Sequence, residues 1–447
     1  MASINWREGL ALERDIALLM IEQEEYGVYF DSGKANYYIS LLERMKEEQE
    51  SIVRPYLSFD IIINETKDKE GNYNFVRKVF LKNGNYTSQI TNLFSDPTIV
   101  LGEFSRVSFE EPSISKRKSI INQLLKLGWK PKIFTEKGFP KLTDEGEPVE
   151  TLEEVGQFGK ALSNWYIYGH RQSQIRGFIP HVREDGRIAA QIDSCGTNTF
   201  RAKHRVVANI PRPTSIFGKE MRSLFRVRDG RDWVGADVSG LELRMLAHHM
   251  NDPEYTELVL NGDIHSYNQQ LAGLPTRDDA KTFIYAWLYG AGSTKIGSIV
   301  GGGSKQGKIL IESFMEGLPS VARLITKVKA FAEKRGFLPS IDNRKIYVRS
   351  WEGKILVHTA LNCLLQANGS IVTKRAIAIA IERIRTLGLD AHPIIFYHDE
   401  LAMDCDPSCS KEVGEILIDS MRLAGEYYNL NIPITGEYVI GKDWSTH

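Results

Sequence analysis

Two short apolar runs, far apart in the chain, each carry an aspartate: Asp237 in "VGADVSGLELRMLAHH" and Asp399 in "IIFYHDELAMDC". Runs of that length and composition read as buried β-strands. Only a folded domain can bring together two acids so distant in sequence. Between them "TRDDAKTFIYAWLYGAG" has a helix start at Pro275, Thr276 and Asp279 and a stop at Gly290 and Gly292. After it, residues 358–388 read as a long, largely apolar helix, and a β-hairpin is expected around His398. Strands and helices are both expected along this stretch, a mixed α+β composition.

The rest of the chain is consistent with a multi-part molecule. At 447 residues it exceeds one ordinary core. Hydrophobic residues at 42% and charged residues at 25% are the mix of a globular protein, and no apolar stretch is long enough for a membrane span. The N-terminus lacks a signal-peptide pattern. The four cysteines are too few for a disulfide framework, and Cys405 and Cys409 have no second ligand pair for zinc. Cytoplasmic residence is the expectation. Helical spacing covers 12–26, 33–52, 116–127 and 151–175, where Thr151 and Glu154 suggest a capping box. Residues 57–93 alternate like strands over "SFDIIIN", "NYNFVRKVFL" and "YTSQITNLF", with a hairpin turn at Lys82–Asn85. "RIAAQID", after the turn at 184–186, also reads as a strand.

Net charge is −1, which argues against a polyanion partner until its distribution is considered. From Gly196 to Arg231 stand nine Lys or Arg (Arg201, Lys203, Arg205, Arg212, Lys219, Arg222, Arg226, Arg228, Arg231) against Glu220 and Asp229. That basic stretch leads directly to Asp237 and reads as a polyanion track. A second one, Lys116 to Lys132, is equally compatible with a solvated face.

On the helix after Thr276, residues Arg277, Lys281 and Tyr285 drift about 40° and rise about 6 Å per step, so they share a face. An Arg and a Lys so spaced could grip successive phosphates, with Tyr285 beyond them at the sugar and base. Lys281 could also deliver a proton to a leaving pyrophosphate. Solvated helices produce such trios often, and an Asp ending a strand is often only a helix cap. Magnesium, however, prefers one or two carboxylates plus phosphate oxygens and water, which Asp237 and Asp399 would supply. Glu400 alternates away from Asp399 and reads as auxiliary. Two metal-holding acids and a cationic face are the minimum equipment for nucleotidyl transfer.

These residues carry a resemblance. "DVSGLELR" at 237–244 resembles the first palm motif of family A DNA polymerases, "RDDAKTFIYAWLYG" at 277–290 their fingers helix, and "HDE" at 398–400 their third motif. "DIHS" at 263–266, "TNTFR" at 197–201, "NIPR" at 209–212, "ALNCLLQ" at 360–366 and "GKDW" at 441–444 add to it. The wording resembles the branch of short-tailed bacteriophages, over roughly residues 12–447. The resemblance implies a right-hand fold: a thumb over 1–185 with a β-rich insertion at about 54–110, a palm over 186–250 and 357–447 built on an antiparallel sheet, and helical fingers over 251–356. It implies extension of primer–template DNA with dNTPs and two Mg2+ ions held by Asp237, Asp399 and the Val238 carbonyl. Arg277, Lys281 and His265 would hold the triphosphate, and Tyr285 and Tyr289 would meet the nucleotide and template. Arg201, Asn362, Gln366 and His398 are similar to residues that touch the minor groove. Donors there test pair geometry without reading sequence, because the acceptors are nearly the same for every pair.

Glu242 would exclude a 2′-hydroxyl, which makes the alternative, a phage-type RNA polymerase relative, the weaker reading. A non-catalytic nucleic-acid-binding remnant would need a lost acid or a lost Lys281, and all three stand. Tyr285, where many relatives carry Phe, implies tolerance of dideoxynucleotides. The sequence departs from the family in three places: Phe200 stands where Gly usually precedes Arg201, "AKHRVVANIP" is shorter by about two residues, and Asn343 replaces a common Gly. Relatives of this branch commonly carry a 3′–5′ exonuclease domain before the thumb. Thumb-like sequence begins by about residue 12 here, so the expectation is no intrinsic exonuclease in this chain: a separate exonuclease serves as partner, or there is none, or the sequence is a piece of a longer one. The insertion stands where this branch elaborates the thumb tip for a processivity factor, and it is equally readable as a thumb ornament that touches DNA or nothing. If phage-encoded, the protein would work in the cytoplasm of a bacterial host.

Overall fold

The computed structural model describes residues 6–57, 60–63, 79–102, 107–110, 113–144 and 146–446. The chain divides into two compact units, residues 1–35 with 176–447, and residues 36–175. The segment 1–185 therefore contributes to both. The expected strand over 72–81 lies, up to residue 78, outside the described residues.

The larger unit is organised by a four-stranded antiparallel sheet. Its strands are β1 (Asp232–Val238), β2 (Ala391–Tyr397), β3 (Glu400–Cys405) and β4 (Gly436–Gly441), in the spatial order β2-β3-β1-β4. Trp233, Gly235 and Asp237 alternate with Val234, Ala236 and Val238, and the second set joins the main core. Against that apolar face pack α6 (Ala360–Thr386) and α7 (Ser410–Tyr427). Helix α6 is apolar nearly all round, as a helix buried between other elements must be. The N-terminal helix α1 (Arg7–Tyr26) lies on β2 and α6, burying Leu12, Ile16, Leu19 and Met20. Between β1 and α6 come α2 (Leu241–Met250), α3 (Ile264–Ala272), α4 (Arg277–Leu288) and α5 (Pro319–Arg335). The break expected at residues 301–303 separates two further helices, Ser293–Ser298 and Ser304–Gly317.

The smaller unit holds most of the helices Ser32–Val53 and Gly156–Phe178, with Arg117–Lys126 between them. Its core gathers Ile120, Leu124, Trp129, Leu152, Phe158 and Leu162. Two expectations fail here. "YTSQITNLF" contains a short helix, Ser88–Leu93, started by extended Thr87 and anchored by buried Ile90. Thr151 caps no α-helix: it lies inside a 3-10 helix, Glu150–Val155, where its hydroxyl accepts the Trp129 indole N–H at 3.0 Å, and the α-helix begins only at Gly156. The turn at Lys82–Asn85 is present, closed by Phe80 pairing with Tyr86. In the larger unit "RIAAQID" is not one strand but two, Arg187–Ile188 and Ile192–Asp193, which pair in different sheets.

Candidate active site

Register brings the acids together. Asp237, next to last in β1, pairs directly with Glu400, the first residue of β3. Asp399 immediately precedes it in the two-residue turn between β2 and β3. Residues paired across neighbouring strands share a face, so Glu400 lies on the same side as Asp237. Asp399 itself belongs to the turn and not to the strand. His398, the other turn residue, has φ 59, a conformation that most side chains avoid. Strain of this kind, roughly 1–3 kcal/mol, persists only where its surroundings dictate it.

Burial and the closeness of the carboxylates both disfavour their charged forms. Burial, with repulsion from Asp237 and Glu242, pushes Asp399 up to about 7. Asp237 is also raised, by burial and by Glu242, although the Val238 N–H on its carboxylate works the other way. Glu400 is pushed up to about 8 by burial. It is held by the Trp444 indole N–H at 2.8 Å, and the Arg222 guanidinium lies 4.6 Å from the Trp444 ring. Arg222 is buried and counteracts the negative charge of both Glu400 and Asp237. Sequence reading counted Arg222 only within a basic stretch. Its spacing gives no signal, because the stacking on Trp444 is a tertiary contact.

Glu242, on the first turn of α2, accepts hydrogen bonds from the Tyr289 hydroxyl at 2.7 Å and from Arg201 Nη2 at 3.0 Å. Asn362 donates to the Tyr289 carbonyl at 3.0 Å, and Gln366 stands one turn further along α6. Helix α4 starts with the capping box expected at Thr276 and Asp279, and Tyr289 and Gly290 end it. Lys281, Tyr285 and Tyr289 line a 680 Å³ groove together with Arg212 and Asp278. Tyr285 also feels the charges of Glu242 and Asp399, which ties the groove to the acids. Arg277 is exposed and held by Asp263, Nε to Oδ2 at 2.8 Å. The His265 ring centre lies 6.1 Å from that of Tyr285, and its buried Nδ1 has no hydrogen-bond partner among the described residues. Arg277 and Lys281 both lower the His265 pKa, after burial.

Two of the three departures fall where the backbone is left-handed: Phe200 has φ 60 and Asn343 has φ 63. Asn209, in the shortened segment, has φ 53. A conformation that suits glycine is thus kept without glycine at these positions.

Asp237 and Asp399 meet at one end of an antiparallel sheet, near the helix that carries Arg277 and Lys281, an arrangement that matches a nucleotidyl-transferring polymerase in outline. The sequence model of DNA polymerase family A matches residues 105–446, and the chain belongs to that family. A DNA-directed DNA polymerase of Escherichia phage Phieco32 is 35% identical over 381 residues, covering 66% of this chain and 62% of the phage protein. Those of Enterobacteria phage T3 and Escherichia phage T7 are 36% and 34% identical over 74% of this chain and 52% of theirs. The chain thus spans between half and two thirds of the length of these relatives. The solved POL domain of Pol1 from M. smegmatis, in complex with DNA primer-template and dNTP, superposes with a TM-score of 0.75 at 18% identity. That match covers 97% of this chain and 70% of the other, and it identifies the fold as the right-hand polymerase fold. No helix among the described residues is long and apolar enough to cross a membrane.

Proposed function

We propose that this chain is a template-directed DNA polymerase that extends a primer with dNTPs and releases pyrophosphate. The observation that carries the reading is the pairing of Asp237 with Glu400 beside Asp399, opposite the cationic face of α4. The donor set fits divalent metal. Among the described residues no cluster of three or more metal-binding side chains forms, and Mg2+ needs only one or two carboxylates when phosphate and water complete its shell. Asp237 and Asp399 would hold two Mg2+ ions with the Val238 carbonyl, and their mutual repulsion favours cations between them. Bound there, the metals would lower the pKa of the primer 3′-hydroxyl and neutralise the leaving pyrophosphate.

The remaining work belongs to the chain's own groups. Lys281 and Arg277 bind the triphosphate, which draws Arg277 away from Asp263, and Lys281 can protonate the departing pyrophosphate. His265 offers its unpartnered Nδ1 to the same phosphates. Glu242 bars a 2′-hydroxyl, and Tyr285 and Tyr289 close over sugar and base. Arg201, Asn362, Gln366 and His398 probe the primer–template minor groove. Residues 1–185, 186–250 with 357–447, and 251–356 serve as thumb, palm and fingers, and a processivity factor would dock on the thumb insertion.

A primer-extension assay tests this, run with dNTPs, then with rNTPs, then with Asp399→Ala. Loss of several kcal/mol of charge stabilisation predicts a rate at least roughly a hundredfold lower for the variant. Equal extension with ribonucleotides would overturn the assignment.

A further inference from the structure

Lys374 is fully buried on α6, and all three of its ammonium protons are engaged. Two go to Glu13 of α1, at 2.8 Å to Oε1 and 2.6 Å to Oε2, and the third goes to the Phe200 carbonyl at 2.7 Å. Ser370, one turn earlier on α6, donates to the same carbonyl at 2.9 Å. Glu13 also accepts from buried Arg344 at 2.7 Å, and the Arg344 guanidinium lies 4.2 Å from the centre of the Phe200 ring. Asp342 holds Arg344 from its other side at 2.8 Å. Lys374, Ser370 and Arg344 thus meet on one residue, Phe200, with Glu13 and Asp342 holding the two cations in place.

That residue is strained. Phe200 has φ 60, where a Cβ crowds the following carbonyl. Left to itself it would relax into the extended or right-handed region, and either change would rotate the peptide that leads to Arg201. Arg201 is where the strain has a consequence, since its Nη2 meets Glu242 at 3.0 Å beside the paired acids.

We infer that Lys374, backed by Glu13, is a positioning residue: it clamps the left-handed Phe200 peptide and so aims Arg201 at Glu242, fixing the carboxylate that selects the sugar. Its activity readout rests on the polymerase reading above, while the clamp itself does not. The clamp exists because Phe200 needs it. Glycine at 200 adopts φ near +60 without cost, so it should make Lys374 dispensable, a rescue that a purely structural lysine would not show.

Four proteins decide the matter: wild type, Lys374→Met, Phe200→Gly and the double variant. Two quantities are measured on each, the ratio of kcat/KM for dNTP over rNTP and the hydrogen–deuterium exchange of residues 197–204. Lys374→Met should lose roughly tenfold in discrimination and exchange that segment faster, with a strongly non-additive cycle. The double variant should match Phe200→Gly within about twofold in discrimination and in exchange. An equal loss on both backgrounds overturns the inference, as does a folded Lys374→Met that discriminates and exchanges like wild type. If Lys374→Met does not fold, Ser370→Ala removes the other donor to the same carbonyl and should show the same pattern, roughly threefold in size. If wild type extends no primer, the polymerase reading fails, and the exchange arm alone still decides the clamp.

Discussion

At the scale of single residues, Gly436 has no room to be anything else. A Cβ there would sit 2.2 Å from the Asp237 carbonyl oxygen and 2.6 Å from Met421 Sδ. The backbone of β1 cannot yield, because it is paired on both sides through Glu400 and Glu437. Gly436→Ala is therefore expected to lower stability by about 1–3 kcal/mol in chemical denaturation, and to slow extension through displacement of Asp237. Wild-type stability would refute the close packing inferred here. Tyr285, half-buried and within the field of Glu242 and Asp399, carries a different expectation. On the proposed function its hydroxyl would stand in for a missing 3′-hydroxyl, so Tyr285→Phe should discriminate against dideoxynucleotides at least roughly tenfold more than wild type in competition assays. Equal discrimination would remove the idea. Of the two residues, Tyr285 was legible from helical spacing and motif. The constraint on Gly436 was not, because it depends on a strand that joins the sheet from the far end of the chain.

At the scale of elements, α4 shows why some structure could be read in advance. Its start rests on local chemistry: the Thr276 side chain accepts from the Asp279 N–H at 3.0 Å, and the Asp279 carboxylate accepts from the Thr276 N–H at 3.2 Å. Removing the cap with Thr276→Ala should cost about 0.5–2 kcal/mol in denaturation experiments. Fraying would reach Arg277 first, so KM for dNTP should rise more than kcat falls; unchanged KM would separate the cap from triphosphate binding. The hairpin around His398 and the helix α6 were legible for similar reasons, namely continuous apolar patterns with turn residues between them. Where tertiary contacts decide, the pattern misled. Thr151 is drawn into a 3-10 helix ahead of its expected cap position, with its hydroxyl on Trp129, and "RIAAQID" splits because its two ends pair with different strands. The grouping of Asp237 with Asp399 could be argued from sequence, but Arg222, Trp444 and the Lys374 cluster could not.

At the scale of the whole larger unit, stability should depend on pH through His249. It sits on α2, and its Nε2 lies 2.7 Å from Asn368 Nδ2 of α6. The orientation of Asn368 is fixed, because its Oδ1 accepts the Ile341 N–H at 3.1 Å. Its amide nitrogen must therefore donate, and His249 must accept with an unprotonated Nε2. Burial, with repulsion from His248 and Lys327, holds His249 down to about 3. The folded value is below the unfolded one of about 6.5, so above that pH both states are neutral and the group contributes no pH dependence. As pH falls below 6.5 the unfolded chain gains a proton that the folded one refuses, and stability is progressively lost down to pH 3. At pH 5 the loss from His249 amounts to up to about 2 kcal/mol. His204, pushed by burial down to about 4, adds a loss of the same sign. The test is urea denaturation of wild type and His249→Gln at pH 7.5 and pH 5.0. Glutamine keeps a polar partner for Asn368 and does not titrate, so the variant should lose less stability between the two pH values by about 1–2 kcal/mol. Equal losses in both proteins would mean that His249 titrates normally in the fold, and that the contact joining α2, α6 and the segment at Ile341 does not exclude the proton.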